Sequence, residues 1–413
     1  MRIFKVGGWV RDWKRGVQAQ DTDYVVTGAT EDEFLKARPF GLTFEKVGAA
    51  FPVYIGSDGN EWALARRESK VGVGYHGFEV DFGPEVTIEQ DLYRRDLTIN
   101  AMAVEVFDDM KTRVLEVIDP YGGQEDIHNR ALRHTSDAFV EDPVRVLRLA
   151  RLRARFGPTW TVAPETVALV SQMAKKGVLN ELTAERVWKE LSRALMEPHP
   201  RLFFDTLLET DALHVIFPEV YRLKTALEAR RWHPEGDAYE HTMLVLTQAA
   251  KWKYDLETRV ACLVHDFGKG LTTRDQLPKH YGHEVTGVPV AKAFCHRLTV
   301  PSDVTRRVGH TTRYHMHMHK LDSLSPKTWV RMFEDMDAFR NPTVVDLLWR
   351  VGICDERGRL GSEMQDVSHL AVVNEVFDRV RAVRFADVFP NGETNPNRIK
   401  EGMFKARVRA VKE

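Results

Sequence analysis

Asp21 and Asp23 stand two residues apart at the head of the apolar run Tyr24-Val25-Val26. A strand sends alternate side chains to one face, so this spacing predicts two carboxylates side by side, which repel unless divalent cations lie between them. The pair reads as a two-magnesium site. Upstream, the apolar stretch Ile3 to Val6 ends at Gly7-Gly8, where a helix-like segment carrying Arg11-Asp12 begins. Bare backbone N–H groups and a helix N-terminus there would hold a phosphate, with Arg11 one turn in to grip it. Phosphoryl transfer to a hydroxyl needs this combination, because cations lower the hydroxyl's pKa and neutralise the phosphate and the departing pyrophosphate. Glu61, on the strand-like segment Glu61-Trp62-Ala63-Leu64-Ala65-Arg66, is a third carboxylate that could approach; a surface glutamate is the equal alternative.

Two cationic segments follow. Arg94-Arg95-Asp96 abuts the apolar run from Leu97 and predicts either an arginine reaching a triphosphate or an ion-paired helix N-terminus. From Glu141 to Trp160 there are five arginines against two acids. At 100° per residue, Arg145, Arg148, Arg151 and Arg155 fall within about 120° of one another, a stripe that is either solvated or functional. The stripe matters because net charge is −1, so binding to nucleic acid must come from a local basic surface and not from the overall field. A second chemistry lies at His265-Asp266, after the apolar run Val260 to Val264, where an imidazole and a carboxylate at a helix end are offered to one cation.

The elements that must position these groups change in kind along the chain. Up to about Leu132, short β-branched runs alternate with Gly, Asp and Pro: Phe44 to Val47, Pro52 to Ile55, Ala101 to Phe107 and Val114 to Ile118. After Asp142-Pro143 the apolar spacing becomes helical in Val144 to Ala154, Thr166 to Met173, Glu185 to Met196 and Leu202 to Leu208. Trp232-His233-Pro234-Glu235-Gly236-Asp237 is a breaker before a long helical pattern that starts near Tyr239. Asn391 to Asn397 reads as a loop, and the basic stretch Lys400 to Lys412 as partly frayed. The expected domains are 1–135, 136–231, 238–339 and 340–413, consistent with 413 residues and a prior of about two to four domains. No run of about 18 apolar residues argues for a membrane span. Three scattered cysteines without Cys-x-x-Cys spacing, and a chain that begins on a strand-like pattern, point to a reducing cytoplasm.

Val6-Gly7-Gly8-x-Val10-Arg11-Asp12, Asp21-x-Asp23, Arg94-Arg95-Asp96-Leu97-Thr98-Ile99-Asn100-Ala101 and Glu141-Asp142-x-x-Arg145 resemble, in order and spacing, the motifs of class II tRNA nucleotidyltransferases. These CCA-adding enzymes belong to the DNA polymerase beta nucleotidyltransferase superfamily, and the resemblance covers nearly the whole chain. It implies an α+β fold, with a polymerase-beta-like head on a mixed sheet followed by all-α neck, body and C-terminal domains. It implies tRNA as partner, ATP and CTP as substrates, and magnesium on the catalytic Asp21 and Asp23. Gly8 and Arg11 would contact the nucleotide phosphates, and Arg95, Arg148 and Arg151 the bound ATP or CTP, while Asp142 and Arg145 would read the base. Cytosine and adenine both carry an exocyclic amino donor beside a ring-nitrogen acceptor, which one carboxylate and one guanidinium match; guanine and uracil present the reverse. The glycine-spaced segment Ala65 to Phe78 is similar to the family's flexible loop, whereas Ala49-Ala50 stands where polar residues are expected.

Together with His241 and Asp355, His265-Asp266 resembles the His…His-Asp…Asp signature of HD-superfamily metal phosphohydrolases. A CCA-adding core followed by such a module is similar to the multifunctional subgroup of these enzymes. That implies metal-dependent phosphatase, 2′-nucleotidase and 2′,3′-cyclic phosphodiesterase activities on nucleotides or damaged RNA ends, with Lys269 near the negative charge. Nickel, manganese, cobalt and magnesium all fit these ligand types. His283 and the cluster His310, His315, His317 and His319 could add ligands, but exposed or capping histidines are the preferred reading, because alternate-residue spacing does not share one helical face. The competing readings are a bacterial poly(A) polymerase and a phosphohydrolase whose head only binds tRNA. Monomer and homodimer both remain open.

Overall fold

Arg2–Val6 (β1) buries Phe4 and Val6 between more exposed neighbours, the period-two pattern of a strand packed on one face. In the computed structural model, which describes residues 1–19, 21–47, 53–70, 78–107 and 116–412, eight further strands follow up to Ile118, and Ala131–Leu132 and Thr161–Val162 form a separate parallel pair. The eight are β2 (Asp23–Thr27), β3 (Phe44–Val47), β4 (Val53–Gly56), β5 (Glu61–Leu64), β6 (Arg67–Lys70), β7 (Phe78–Asp81), β8 (Ala103–Val106) and β9 (Val117–Ile118). Seven form one sheet in the order β3-β4-β5-β2-β1-β8-β9, and β6 and β7 pair separately. The sheet is mixed, because β2 and β5 run parallel while its other pairs are antiparallel. Its register sets Asp23 opposite Val6 on one side and Glu61 on the other.

Four short helices accompany the sheet: α1 (Gly8–Lys14), α2 (Glu31–Ala37), α3 (Ile88–Tyr93) and α4 (Gly123–Asn129). Thr30 with Glu33, and Thr87 with Gln90, form capping boxes that satisfy the first amides of α2 and α3. Phe34, Tyr54 and Trp62 are buried in one core cluster, and Trp62 stacks on Tyr24 with ring centroids 4.1 Å apart. Two longer helices, α5 (Val144–Phe156) and α6 (Pro164–Lys175), complete a first unit of Met1–Leu182 with Glu209–Ala212.

The second unit, Thr183–Leu208 with Leu213–Glu413, contains no strand among its described residues. Its helices begin with α7 (Ala184–Met196), α8 (Arg201–Glu209, whose last residue belongs to the first unit), α9 (Leu213–Ile216) and α10 (Pro218–Arg222). Next come α11 (Ala238–Lys251), α12 (Leu256–Val264), α13 (His283–Arg297), α14 (Ser302–Met318), α15 (Pro326–Asp335) and α16 (Thr343–Arg357). The last are α17 (Val372–Arg381), α18 (Phe385–Val388) and α19 (Pro396–Ala410). Every residue of α12 from Thr258 to Val264 is buried, so this helix is enclosed on all sides. The basic C-terminal stretch is helical up to Ala410, contrary to the frayed segment expected. Asn395 caps α19 through the amides of Asn397 and Arg398, and Phe404 and Val408 pack on the core beneath. Among the described residues, no helix is long and apolar enough to cross a membrane.

Candidate active sites in the two units

In the first unit the chain leaves β1 through Gly7, at φ 65° and ψ −128°, a conformation open to glycine and strained for any residue with a Cβ. The position a Gly7 Cβ would take lies 3.1 Å from Arg95 Nη1 and 3.9 Å from Asp23 Oδ2, so glycine lets three distant segments meet. Asp23 opens β2, and Asp21 lies just before the strand instead of on it, a difference from the shared strand face expected. The two carboxylates nonetheless interact. Burial pushes the Asp23 carboxyl up, Arg95 and Arg148 pull it down, and Asp21 pushes it up again. A half-buried carboxylate with a second beside it is stabilised by added cations, so the pair fits a divalent metal.

Arg95 is held from behind. Asp91, fully buried on α3, accepts from Arg94 Nε and Nη2 at 3.1 and 2.6 Å and from Arg95 Nε and Nη2 at 3.3 and 3.0 Å. Burial alone would raise the Asp91 carboxyl, but the two guanidinium groups outweigh it and bring it down to about 2. The ion pairing expected of Arg94-Arg95 is thus present, at the C-terminus of a helix and not at its start. Asp96 accepts from Arg148 Nε at 2.7 Å, Asn100 Nδ2 at 3.0 Å and the Leu97 amide at 2.8 Å, and its carboxyl stays well below the usual range despite burial. Asn100 Oδ1 accepts from Arg11 Nη1 at 2.8 Å, so a continuous hydrogen-bonded chain joins α5 to α1. Arg11 also grips Asp12 through Nε and Nη2 at 2.9 and 2.8 Å and is 5 % exposed, beside Gly8 but with three of its five N–H donors engaged. The helix it sits on has only seven residues.

On α5 half of the expected cationic stripe is inside. Arg145 and Arg151 are buried, Arg148 is part-exposed and Arg155 is exposed. Arg145 Nη1 donates to the Ala138 carbonyl, and Asp142 Oδ1 accepts from the Val144 amide at 3.1 Å, placing both at the entrance to α5. Ala49-Ala50 and residues 71–77 of the glycine-spaced segment lie outside the described residues.

In the second unit, enclosed α12 delivers His265 and Asp266 at its C-terminus, 0 % and 1 % exposed. A Cβ on Gly268 would stand 2.1 Å from the His283 carbonyl, so only glycine lets this turn come close enough to α13 to bring His283 to Asp266. Asp266 then faces two donor sets. Its Oδ2 is 3.2 Å from His265 Nε2 and 3.8 Å from His241 Nε2; its Oδ1 is 3.2 Å from His283 Nε2 and 3.4 Å from His315 Nε2. Asp355, from α16, lies 3.1 Å from His241 Nε2. His241, His265 and Asp355 form one potential metal-binding group, and Asp266, His283 and His315 another.

Electrostatics and orphaned atoms agree on a cation here. Burial would raise Asp266 and Asp355, yet His265 and Lys269 around the first, and His319 and His241 around the second, hold both well below the ordinary carboxylate range. Burial lowers His315, leaving its ring neutral, whereas carboxylate partners outweigh burial at His241 and push it up to about 9. His265 Nε2 and both Asp266 oxygens are buried without a well-formed hydrogen bond. Ionised carboxylates and imidazoles converging in this way fit divalent transition metals, whose binding displaces protons from such rings.

Several placements differ from expectation. His283 and His315 are buried against Asp266 and not exposed: His283 opens α13 beside the Gly268 turn, and His315 and His319 are one turn apart at the end of α14 and share the face turned to Asp266 and Asp355. His310 and His317 join neither donor set. Lys269 is buried between Glu228 Oε1 at 2.6 Å and Asp266 Oδ2 at 2.7 Å. Two positioning residues, Asp91 and Glu235, were not singled out by the sequence, and Asp96 and Asn100 stood in a motif without a role of their own. Asp91 was findable from its i+3 and i+4 arginines. Glu235, in the breaker segment, has Oε1 3.2 Å from His241 Nδ1 and 2.9 Å from His233 Nδ1, so it orients the His241 ring.

Three family models match: the poly A polymerase head domain over residues 3–133, the probable RNA and SrmB-binding site of polymerase A over 160–223, and the HD domain over 238–382. Multifunctional CCA proteins of Shewanella denitrificans and Burkholderia mallei are 41% and 42% identical to this chain, over all of it and over 97% and 98% of their own lengths. Among solved structures, the Thermotoga maritima CCA-adding enzyme complexed with tRNA superposes with TM-score 0.63 at 20% identity, covering 99% of this chain and 87% of that one. The Bacillus stearothermophilus CCA-adding enzyme in complex with CTP gives 0.64 at 19%, over 99% and 88%. At those identities the likeness is one of fold.

Proposed function

The chain belongs to the multifunctional CCA protein family, and from that premise we propose that its first unit adds and repairs the 3′-terminal CCA of tRNA from CTP and ATP, without a nucleic-acid template and with release of pyrophosphate. The observation that carries this reading is the convergence on Asp23 of Asp21, Arg95 and Arg148, groups from three separate stretches of sequence. Asp21 and Asp23 would hold magnesium, which when bound lowers the pKa of the attacking hydroxyl and neutralises the departing pyrophosphate. The amides at Gly8, together with Arg11, Arg95, Arg148 and Arg151, would orient the triphosphate. Asp142 and Arg145 would select cytosine and adenine; guanine or uracil would set Asp142 against a carbonyl and Arg145 against an N–H, a mismatch that rejects strongly when buried.

The second unit would act as a metal-dependent phosphatase, 2′-nucleotidase and 2′,3′-cyclic phosphodiesterase. His241, His265, Asp266 and Asp355 would hold a transition metal such as nickel, with His283 and His315 on the other oxygen of Asp266. When bound, such a cation polarises the phosphate and supplies hydroxide near neutral pH. Lys269 offsets the charge of Asp266 and does not contact the substrate in this reading. The division into a nucleotidyltransferase head (1–135), a neck and body (136–231), the HD module (238–339) and a tail (340–413) belongs to the same proposal, with Asp355 contributed from the tail. So do a cytoplasmic location and a monomeric or homodimeric state.

The test offers the protein tRNA ending before CCA, tRNA ending in CC and a generic RNA, each with one labelled nucleotide and magnesium. Incorporation of C then A, stopping at CCA, is expected; open-ended A addition to generic RNA would instead make it a poly(A) polymerase. Asp21→Ala should abolish addition and spare phosphoester hydrolysis, and His265→Ala should do the reverse. Loss of both activities in either folded variant would overturn the two-site assignment.

A further inference from the structure

Lys269 is the cation that the sequence nominates for the phosphate of a substrate in the second unit, but its ammonium is already enclosed by Glu228 and Asp266. Arg359 is placed differently. It lies just beyond α16, with Nη2 3.5 and 3.4 Å from Nδ1 and Nε2 of His319. The Nη2 N–H is thus directed at the imidazole between its two nitrogens, and the Nε and Nη1 N–H groups of the fork point elsewhere. His319 Nε2 is in turn 2.8 Å from Asp355 Oδ2. On the other side of Arg359, the Leu360 amide donates to Glu235 Oε2 at 3.3 Å, the carboxylate that orients His241. The turn is therefore fastened to the metal-ligand cluster on both flanks of the arginine. Among the described residues Arg359 has no carboxylate partner, and its Nε is buried without a hydrogen-bond acceptor. A buried N–H of this kind is unfavourable unless an acceptor arrives, and a phosphate offers paired oxygens to the guanidinium fork.

We propose that Arg359 is the phosphate-binding residue of the second unit's centre, and that the ligand it takes is the phosphate group of a phosphomonoester or a cyclic phosphodiester. The proposal rests on the phosphohydrolase reading of that centre. Its chemistry is direct: the carboxylates of Asp266, Asp355 and Glu235 repel an anion, and a guanidinium beside them provides the charge and the geometry to admit one.

The experiment uses the full-length protein loaded with Mn2+, and inorganic phosphate as the probe, followed by paramagnetic broadening of its phosphorus NMR signal. Arg359→Ala should weaken phosphate binding by about 10–100-fold, the loss of a charge-assisted hydrogen-bonding group. Arg359→Lys should recover part of that, keeping the charge but losing the fork. Mn2+ affinity by equilibrium dialysis should not change, and KM for 2′,3′-cyclic AMP should rise more than kcat falls. Unaltered phosphate binding in Arg359→Ala would overturn the proposal. So would a loss of Mn2+ affinity in step with phosphate, because Arg359 would then only brace His319 and Asp355. If the unaltered protein hydrolysed no phosphoester with any metal, the phosphohydrolase reading would fall, and the phosphate titration would still decide the role of Arg359.

Discussion

Alanine at Gly7 should destabilise the first unit, whereas alanine at Gly8 should not, although both should impair nucleotide addition. Gly7 sits at φ 65°, ψ −128°, and holding a residue with a Cβ in such a region costs about 1–3 kcal/mol. The new methyl would also come within 3.1 Å of Arg95 Nη1. That contact is with the end of a flexible side chain, so the guanidinium retreats and backbone strain dominates the stability loss. Its retreat also moves positive charge away from Asp23. At Gly8, by contrast, a Cβ would meet Arg11 Nη2 at 3.5 Å, an ordinary contact, and alanine is the better helix former at the start of α1 by up to about 1 kcal/mol. For a unit of this size each kcal/mol moves the midpoint by about 2–4 °C. Gly7→Ala should therefore melt about 2–12 °C lower, and Gly8→Ala at or slightly above the unaltered protein. In both variants KM for CTP and ATP should rise, because a methyl group occupies the approach to bare backbone amides. Scanning calorimetry and single-nucleotide incorporation on tRNA read the two effects separately. Gly8→Ala melting below Gly7→Ala, or Gly7→Ala melting with the unaltered protein, would contradict the strain assigned to Gly7.

Asp91→Asn should remove a pH-dependent part of the stability of the same unit. With a folded pKa of about 2 against about 3.9 unfolded, Asp91 binds its proton more readily in the unfolded chain, so it contributes about 2–3 kcal/mol above pH 4, lost as the pH falls through about 2. Urea denaturation should show the gap between the two proteins closing over that window, and a gap equally wide at pH 6 and pH 2 would contradict the assignment. In the second unit, Glu235→Gln leaves one acceptor oxygen for His233 and His241, and metal affinity there should drop about 10–100-fold while the magnesium dependence of nucleotide addition is unaltered. Competition with a chelator would check this, and unchanged affinity would remove Glu235 from the account.

Local spacing made much of the architecture legible. The short β-branched runs at 44–47 and 101–107 hold the strands β3 and β8, and the helical spacing at 144–154, 166–173, 185–196 and 202–208 falls on α5 to α8, because side-chain direction within one element depends only on near neighbours. The end of α19 was misread for the same reason. Its charge suggested fraying, and the contacts of Phe404 and Val408 that hold it are made with residues remote in sequence.

The division is the same at the two sites. Sequence alone determined which groups can do chemistry: Asp21 with Asp23, the arginines from Arg94 to Arg151, and His265 beside Asp266, each a pattern of residues a few positions apart. Tertiary structure alone decided which of them come together and which are paired elsewhere. It set Arg148 on Asp96, 52 residues away, enclosed Lys269 between Glu228 and Asp266, and brought His283 and His315 to the second oxygen of Asp266. The physical reason is that a side chain's partners across the fold follow from how helices and strands pack, and a close approach such as that of Gly268 to the His283 carbonyl leaves no periodic trace in the chain.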